Sequence, residues 1–335
     1  MIKRILFCIL VGPLYALNHR QCRHEEHEDW FCDYMERHNR TYARHEVLVR
    51  KKTLLQRPLD RDGVTFGMTS RSDRLDKRLG SNYHLKHIKH LDIVRPDTKK
   101  HIHLAAPRHL PPIDWRDRYG VSYVSSVKDQ GDCGGCFAFA SATVLEYWSR
   151  KKGHPKSLSP QSLMDCTSGT NKPDEGCEGG LMEYVFDYAM DHPVPLEVDW
   201  PYLERDGQCE KKLAWSHVQV QDYRVLMRET NPKAEHEIET LLHAYGPVAV
   251  GIDSTTMEDY TGGVFKADMC TTDIDHAVTV VGYTKNFWIV KNSWGPYWGQ
   301  DGYLFLEKGK NACGIAEYVV YVTQARPILE QFTTT

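Results

Sequence analysis

No stretch of this 335-residue chain is long and apolar enough to read as a membrane span. The best candidate, Ile5 through Leu17, is broken by Gly12 and Pro13 and falls short of the ~18 residues required. Internal repeats and low-complexity blocks are absent. So is a second Cys-x-x-Cys or a His-x3-His pair that could join Cys133-x-x-Cys136 in a zinc tetrad. Composition is not extreme either: with 41% apolar and 26% charged residues, disorder is not the default, and the length suggests two or three compact units.

What the chain does have is an uneven distribution of charge. Residues 1–109 hold 22 Lys and Arg against 13 Asp and Glu, a net of +9, together with 11 of the 17 histidines. The remaining 226 residues hold 20 basic and 32 acidic side chains, a net of −12. Basic stretches often meet nucleic acid or membranes. Here an acidic body is attached covalently, so the expected partner of the basic part is the body itself, with neither nucleic acid nor membrane involved.

The first residues, Met1-Ile2-Lys3-Arg4, form a cationic start before the short apolar run, the pattern of a secretory signal peptide over residues 1–16. Ala16 is a suitable small residue for cleavage, although Leu14 is not the usual small partner; a buried N-terminal helix is the alternative. A route to the lysosome or the exterior follows, with a soluble mature protein. Cysteine content agrees with an oxidising compartment. The acidic body contains seven cysteines (Cys133, Cys136, Cys166, Cys177, Cys209, Cys270, Cys313), so one thiol is left over.

Apolar spacing predicts two helical pieces within residues 17–57, one through Trp30, Phe31, Tyr34 and Met35, the other through Val47, Leu48, Leu54 and Leu55, ended by Pro58. Residues 60–109 read as extended or loop-like, with a linker at Pro107, Pro111 and Pro112. Beyond it the spacing predicts helices over 136–152, from Ser159-Pro160 to Met164, and over 180–191. After residue 214 it predicts strands at Val248–Ile252, Ala277–Tyr283, Phe287–Lys291 and Gly302–Leu306. Helices first and strands second imply an α+β body of two halves with a cleft between them.

Gln130-Gly131-Asp132-Cys133-Gly134-Gly135-Cys136-Phe137 is the densest signal. Taken alone, Cys133-x-x-Cys136 fits a redox pair or half a zinc site, but no strand leads into it as in a thioredoxin unit and no second ligand pair exists. The other reading is a nucleophile at a helix start. An ordinary thiol, with a pKa of about 8.5, is ionised in only a few molecules per ten thousand at pH 5. A helix N-terminus contributes ~0.3–1 kcal/mol toward the anion, up to ~2 when partly buried, which is a pKa unit or so. A nearby imidazolium must supply the larger share, and a third group must orient it.

At these residues the chain resembles the papain-like cysteine peptidases, and among them the cathepsin L-type endopeptidases. The resemblance covers residues 110–323 through ordered motifs: Gln-Gly-x-Cys-Gly-x-Cys at 130–136, Gly-Cys-x-Gly-Gly at 176–180, Asp275-His276-Ala277-Val278, Lys291-Asn292-Ser293-Trp294-Gly295, and Cys313-Gly314-Ile315. It implies a two-lobed α+β fold, with a helical left lobe and a β-barrel-like right lobe, preceded by a mainly helical propeptide over residues 17–109. Residues 110–335 would be the mature peptidase domain. Carried over, Cys136 is the nucleophile, His276 the general base and then acid, and Asn292 the group that holds the imidazole. Trp294 shields that bond, and Gln130 joins the backbone N–H of Cys136 in an oxyanion hole. No cofactor or metal is implied.

The same matching pairs Cys133 with Cys177, Cys166 with Cys209 and Cys270 with Cys313, one of 15 pairings that spacing allows. Cys22 and Cys32 lie outside it and either bridge each other or stay reduced. Departures are Gly135 for Ser and Phe137 for Trp, which touch packing rather than bond chemistry. In the propeptide, Trp30, Tyr42, Glu46 and Arg50 fit the family's helical pattern, Leu54 replaces Phe, and a second motif survives as Gly67, Thr69, Arg71 and Asp73. The expectation is a segment that still masks the cleft; the alternative is a degraded one that no longer inhibits.

For substrate the resemblance points to Gly180, Leu181, Met182, Gly251, Ala277 and Tyr318. Gly180 offers backbone bonds, and the others line the pocket for the residue two before the scissile bond. Tyr318 stands where an acidic residue would admit Arg, so Leu, Val or Ile is expected there over Phe. The short Cys166–Cys177 interval leaves no cleft-blocking loop of an exopeptidase. Expected partners are protein or peptide substrates, the chain's own propeptide and cystatin-type inhibitors, with a monomeric enzyme. Asn39-Arg40-Thr41 is a glycan acceptor motif. The rival to an active protease is an inactive homologue serving as a binding protein.

Overall fold

The computed structural model describes residues 16–25, 27–43, 46–55, 60–72, 110–168, 176–210, 216–227 and 234–328. The expected signal segment up to residue 15, Pro58, Asp73 and Pro107 lie outside them. In chain order the N-terminal part contributes β1 (Ala16–Asn18), α1 (His19–His24), α2 (Asp29–Arg37), β2 (Thr41–Ala43), α3 (Val47–Leu55) and β3 (Thr65–Phe66). The body begins with β4 (Ile113–Asp114), α4 (Cys136–Lys151), α5 (Pro160–Thr167), α6 (Met182–Asp191), β5 (Val194–Pro195), β6 (Ser216–Met227) and α7 (Ala234–Tyr245). It continues with β7 (Val248–Ile252), β8 (Tyr260–Gly262), β9 (Val264–Phe265), β10 (His276–Tyr283), β11 (Phe287–Lys291), β12 (Tyr303–Glu307) and β13 (Tyr318–Pro327).

Side-chain alternation along β7, β10 and β13 divides the body into two cores. These strands are antiparallel neighbours, so successive residues face opposite sides. Val248, Val250, Ile252, Val278, Val280, Val319 and Tyr321 join Ile238, Leu241 and Leu242 of α7 in one core. Ala249, Ala277, Val320 and Val322 face the other, which is built on α4 and α6. The small residues Ala249 and Ala277 let α4 lie close, and Thr279 Oγ1 donates to the Ala140 carbonyl at 3.1 Å. Because α4 is enclosed on every side, all of Cys136 to Ser149 is buried, the pattern of a core helix rather than an amphipathic one.

The sheet has nine strands in the order β5-β6-β13-β7-β10-β11-β12-β9, with β4 added to β10. Among the described residues its two ends do not meet, so the right half is an open sheet and not a closed barrel. Each end is a two-residue strand, and β5 ends on Pro195, which has no N–H to extend the ladder. Helix α7 interrupts the strand-rich half that the sequence predicts after residue 214. Ser159 caps α5 by accepting from Ser162 N–H, with Pro160 in the first turn.

The N-terminal part has its own small core of Leu17, Phe31, Tyr34, Met35, Tyr42, Val47 and Leu54 around the Cys22–Cys32 disulfide. It contains three helices and a β1–β2 pair where the sequence predicts two helical pieces. Leu48 and Leu55, expected inside, are exposed because α3 turns only Val47 and Leu54 inward. From this unit β3 reaches the body and pairs with β8.

A polar cluster also ties the two halves together. Glu146, fully buried on α4, accepts from Lys128 Nζ (2.9 Å), Leu158 N–H (2.8 Å) and Ser125 Oγ, while Lys291 Nζ donates to Ser125 Oγ (2.8 Å). Lysine charges and the serine bond hold the Glu146 carboxyl below its usual range in spite of the burial that opposes ionisation. Glu146→Ala leaves the buried Lys291 without its carboxylate, while half-buried Lys128 keeps Glu197 at 3.2 Å, so we expect a loss of about 3 kcal/mol, the lower end of the scale for breaking a buried pair. Denaturant unfolding of the full chain measures it; a change under ~1 kcal/mol would show that water satisfies the lysines.

Candidate active site

Three elements bring the site together. Cys136 is the first residue of α4, His276 the first of β10, and Asn292 follows the last residue of β11. The antiparallel β10–β11 pairing, Thr279 opposite Lys291, returns the chain so that Asn292 lies beside His276. All three are buried. Imidazole Nε2 is 2.8 Å from Asn292 Oδ1, and the same oxygen accepts from Ser293 N–H at 2.8 Å. An oxygen that accepts both bonds assigns the proton to Nε2, which leaves Nδ1 as the basic nitrogen. Trp294 stacks on the imidazole with centroids 4.8 Å apart.

Cys136 is the one cysteine among the described residues outside a disulfide. Its Sγ is 3.5 Å from Ala277 N and 3.9 Å from the Gly134 carbonyl. Ala277 follows His276, so the sulfur lies against the backbone at the start of β10. Nδ1 itself makes no hydrogen bond in this structure, so the thiol–imidazole bond is not formed here; such bonds commonly tighten only when substrate is bound. The reason for a resting site is visible. Burial pushes the His276 pKa down from 6.5 to about 3, the Asn292 bond opposing and the Arg71 guanidinium adding to the fall. In this form the imidazole is neutral.

Gln130 is fixed from three directions. Its N–H donates to Ser293 O (2.8 Å), its side-chain oxygen accepts from Ser293 Oγ (2.5 Å), and its Nε2 donates to Cys133 O (2.9 Å). Ser293 is thus a site residue that the sequence reading passed over, although it stands inside the Asn292-Ser293-Trp294 motif. Leu181, Met182, Ala277 and Tyr318 share one buried cluster with Ile274, which was also missed. Gly251 pairs with Ala277 across the strands. A Cβ there would stand 2.5 Å from Ile274 Cγ2 and 3.3 Å from Tyr318 Cδ1, so no larger residue fits. Gly180 is buried at the end of the loop that precedes α6.

Disulfides join Cys133 to Cys177, Cys166 to Cys209 and Cys270 to Cys313. With Cys133 bound to Cys177, the Cys133-x-x-Cys136 spacing serves neither a redox pair nor zinc. Phe137 is fully buried in the helical core, and a Cβ at Gly135 would meet Met164 Sδ at 3.2 Å. Asn39 is exposed at the turn that follows α2, with φ 49°.

The N-terminal part lies across this site. Gly67 N–H donates to Asp259 O, Thr69 Oγ1 to Glu258 O, and Ser70 Oγ to Trp294 O at 3.4 Å. Arg71 ends on the face of Trp294, its guanidinium carbon 4.0 Å from the ring centroid. Gly67, Thr69 and Arg71 belong to the second motif of the N-terminal part, which does not by itself name Trp294 as their partner.

A family model described as papain family cysteine protease matches residues 110–323. A cysteine endopeptidase, RepA, from Oryza sativa subsp. japonica is 38% identical over 230 residues, 64% of this chain and 57% of that protein. The chain therefore spans less than two thirds of that relative's length. Cysteine proteinase 1 of Leishmania pifanoi is 34% identical over 268 residues, 77% of this chain and 70% of its own. The solved structure of digestive procathepsin L 3 from the larval midgut of Tenebrio molitor superposes with a TM-score of 0.72 at 27% identity, covering 90% of this chain and 98% of that one. On the matched model, these similarities and the geometry above, the chain belongs to the papain family of cysteine proteases.

Proposed function

We propose that the chain is a cysteine endopeptidase made as a self-masked precursor, with residues 17–109 as the mask and residues 110–335 as the peptidase. The Cys136 thiolate attacks the peptide carbonyl, and the oxyanion is held by the Cys136 N–H and a Gln130 amide proton. His276, carrying the proton taken from the thiol, gives it to the leaving amine as the C–N bond breaks. Water then attacks the thioester, His276 accepts its proton, and the thiol is regenerated. The observation that carries this reading is the buried Cys136 at the start of α4, its Sγ 3.5 Å from the N–H of the residue after His276, whose Nε2 is held by Asn292.

Masking is supported by the run of contacts from Gly67 to Arg71 over Trp294, and the named proforms among the solved structures support a precursor. The four disulfides support a secretory or lysosomal route. Acid incubation with a reductant should release the N-terminal part and start hydrolysis of an internal peptide bond. Hydrolysis stopped by a metal chelator but indifferent to thiol alkylation would refute the reading.

The buried apolar cluster that joins Tyr318 to Leu181, Met182, Ile274 and Ala277 supports a preference for Leu, Val or Ile two residues before the scissile bond. Tyr318→Ala should shift the Phe/Val ratio of kcat/KM toward Phe by roughly 1–3 kcal/mol. An unchanged ratio would place the Tyr318 ring outside the pocket floor.

A further inference from the structure

Arg71 shows what the surface beside Trp294 is built to hold. The side chain is 3% exposed and lies over the indole at 4.0 Å. Its Nη1 is 3.5 Å from the Gly131 carbonyl and its Nη2 3.9 Å from Glu258 Oε1, a carboxylate that is itself 4% exposed. An aromatic face, a carboxylate and a carbonyl around one space are the chemistry that recognises a guanidinium. When the mask leaves, the same three groups remain on the body, and Glu258 loses its contact with the Arg71 guanidinium.

Trp294 and Tyr318 lie in different cores, and the indole stacks directly on His276. The Tyr318 cluster is assigned the residue two before the scissile bond, whereas the indole lies against the imidazole that gives its proton to the leaving amine, so the space over Trp294 is assigned to the leaving-group side. We propose that this cage is a substrate subsite for a cationic side chain just after the scissile bond, with Glu258 setting the preference and Arg71 occupying it in the masked chain. Arginine fits better than lysine, because its planar fork can stack on the indole and reach Gly131 O and Glu258 together. The inference rests on the peptidase reading above and adds the substrate class of the leaving side.

Two measurements decide it. With acid-processed protein, matched peptides carrying Arg, Lys, Gln or Glu just after the scissile bond should differ, Arg exceeding Gln roughly 10-fold in kcat/KM. In Glu258→Gln the Arg/Gln ratio should fall to about 2 or less. Equal rates in the unaltered protein, or a ratio that survives Glu258→Gln, would overturn the proposal. The second is a double-mutant cycle in the unprocessed Cys136→Ala chain, combining Arg71→Gln with Glu258→Gln and following the denaturant midpoint. The double variant should be no weaker than the weaker single one, whereas additive losses would overturn recognition of Arg71 by Glu258. If none of the peptides is cleaved, the peptidase reading fails, and the cycle alone then decides whether the cage binds a guanidinium.

Discussion

Cys136→Ala should reduce peptide hydrolysis by on the order of 10⁶-fold, the scale on which a nucleophile acting with its base is lost. Fold and disulfides should be unchanged, because the substitution removes one sulfur atom outside every disulfide. Asn292→Ala should cost less, roughly 10²–10³-fold, since Asn292 Oδ1 only fixes which imidazole nitrogen holds the proton. Steady-state rates after acid processing, with near-UV circular dichroism to confirm packing, measure both. A Cys136→Ala protein with near-normal turnover, or an Asn292 variant as inactive as the cysteine variant, would overturn these roles.

The second large effect is a dependence of unmasking on pH. With residues 67–71 over the site, the proposed masked form, His276 is held neutral, its pKa lowered to about 3 by burial, with Arg71 adding to the fall. Once the mask lifts, the imidazole regains water and a pKa near ~6.5 or above. Between those values the open form binds a proton that the closed form refuses. Closure is therefore fully favoured above ~6.5 and weakens by about 1.4 kcal/mol for each pH unit below it, until about pH 3. The open population should rise ~10-fold per unit, or ~10²-fold from pH 6.5 to 4.5. Proton NMR of the histidine ring in the full-length Cys136→Ala chain tests this directly. The masked His276 should remain neutral at pH 4.5; a titration near 6.5 without release of the mask would contradict the linkage.

Among the described residues, part of the charge of the N-terminal part is paired within that part. Arg23 pairs with Asp33 and Glu36, Lys51 with Glu28 and Arg50 with Glu46, all inside the N-terminal part. Arg71–Glu258 crosses to the body, and it is buried, where salt screens little. Exposed carboxylates on the body still lose their charge near pH ~4, so that term acts in the same direction as His276.

Much of the site was legible because its parts are local. A helix must start near Cys136, Ser159-Pro160 must cap another, and each motif places its own side chain relative to a neighbouring strand or helix. Helix α7 was hidden by the texture around it: Ile238, Leu241 and Leu242 keep helical spacing inside a strand-rich half. The open path of the sheet was illegible for a different reason, since pairing of β6 with β13 joins residues about a hundred positions apart. Arg71 on Trp294 is the extreme case. Residues 60–72 carry no period, and their conformation is set by β8 and the indole they meet, more than 180 positions later.

His276 should make Cys136 a nucleophile at acid pH. Alkylation by iodoacetamide tests it most directly, followed by peptide mapping after acid processing, at pH values from 4.5 to 8. An imidazole-paired thiolate should give one adduct, on Cys136, at rates that change little between pH 5 and 7. A rate that falls ~10-fold for every unit below pH 8, as for an ordinary thiol, or an adduct elsewhere, would contradict the account.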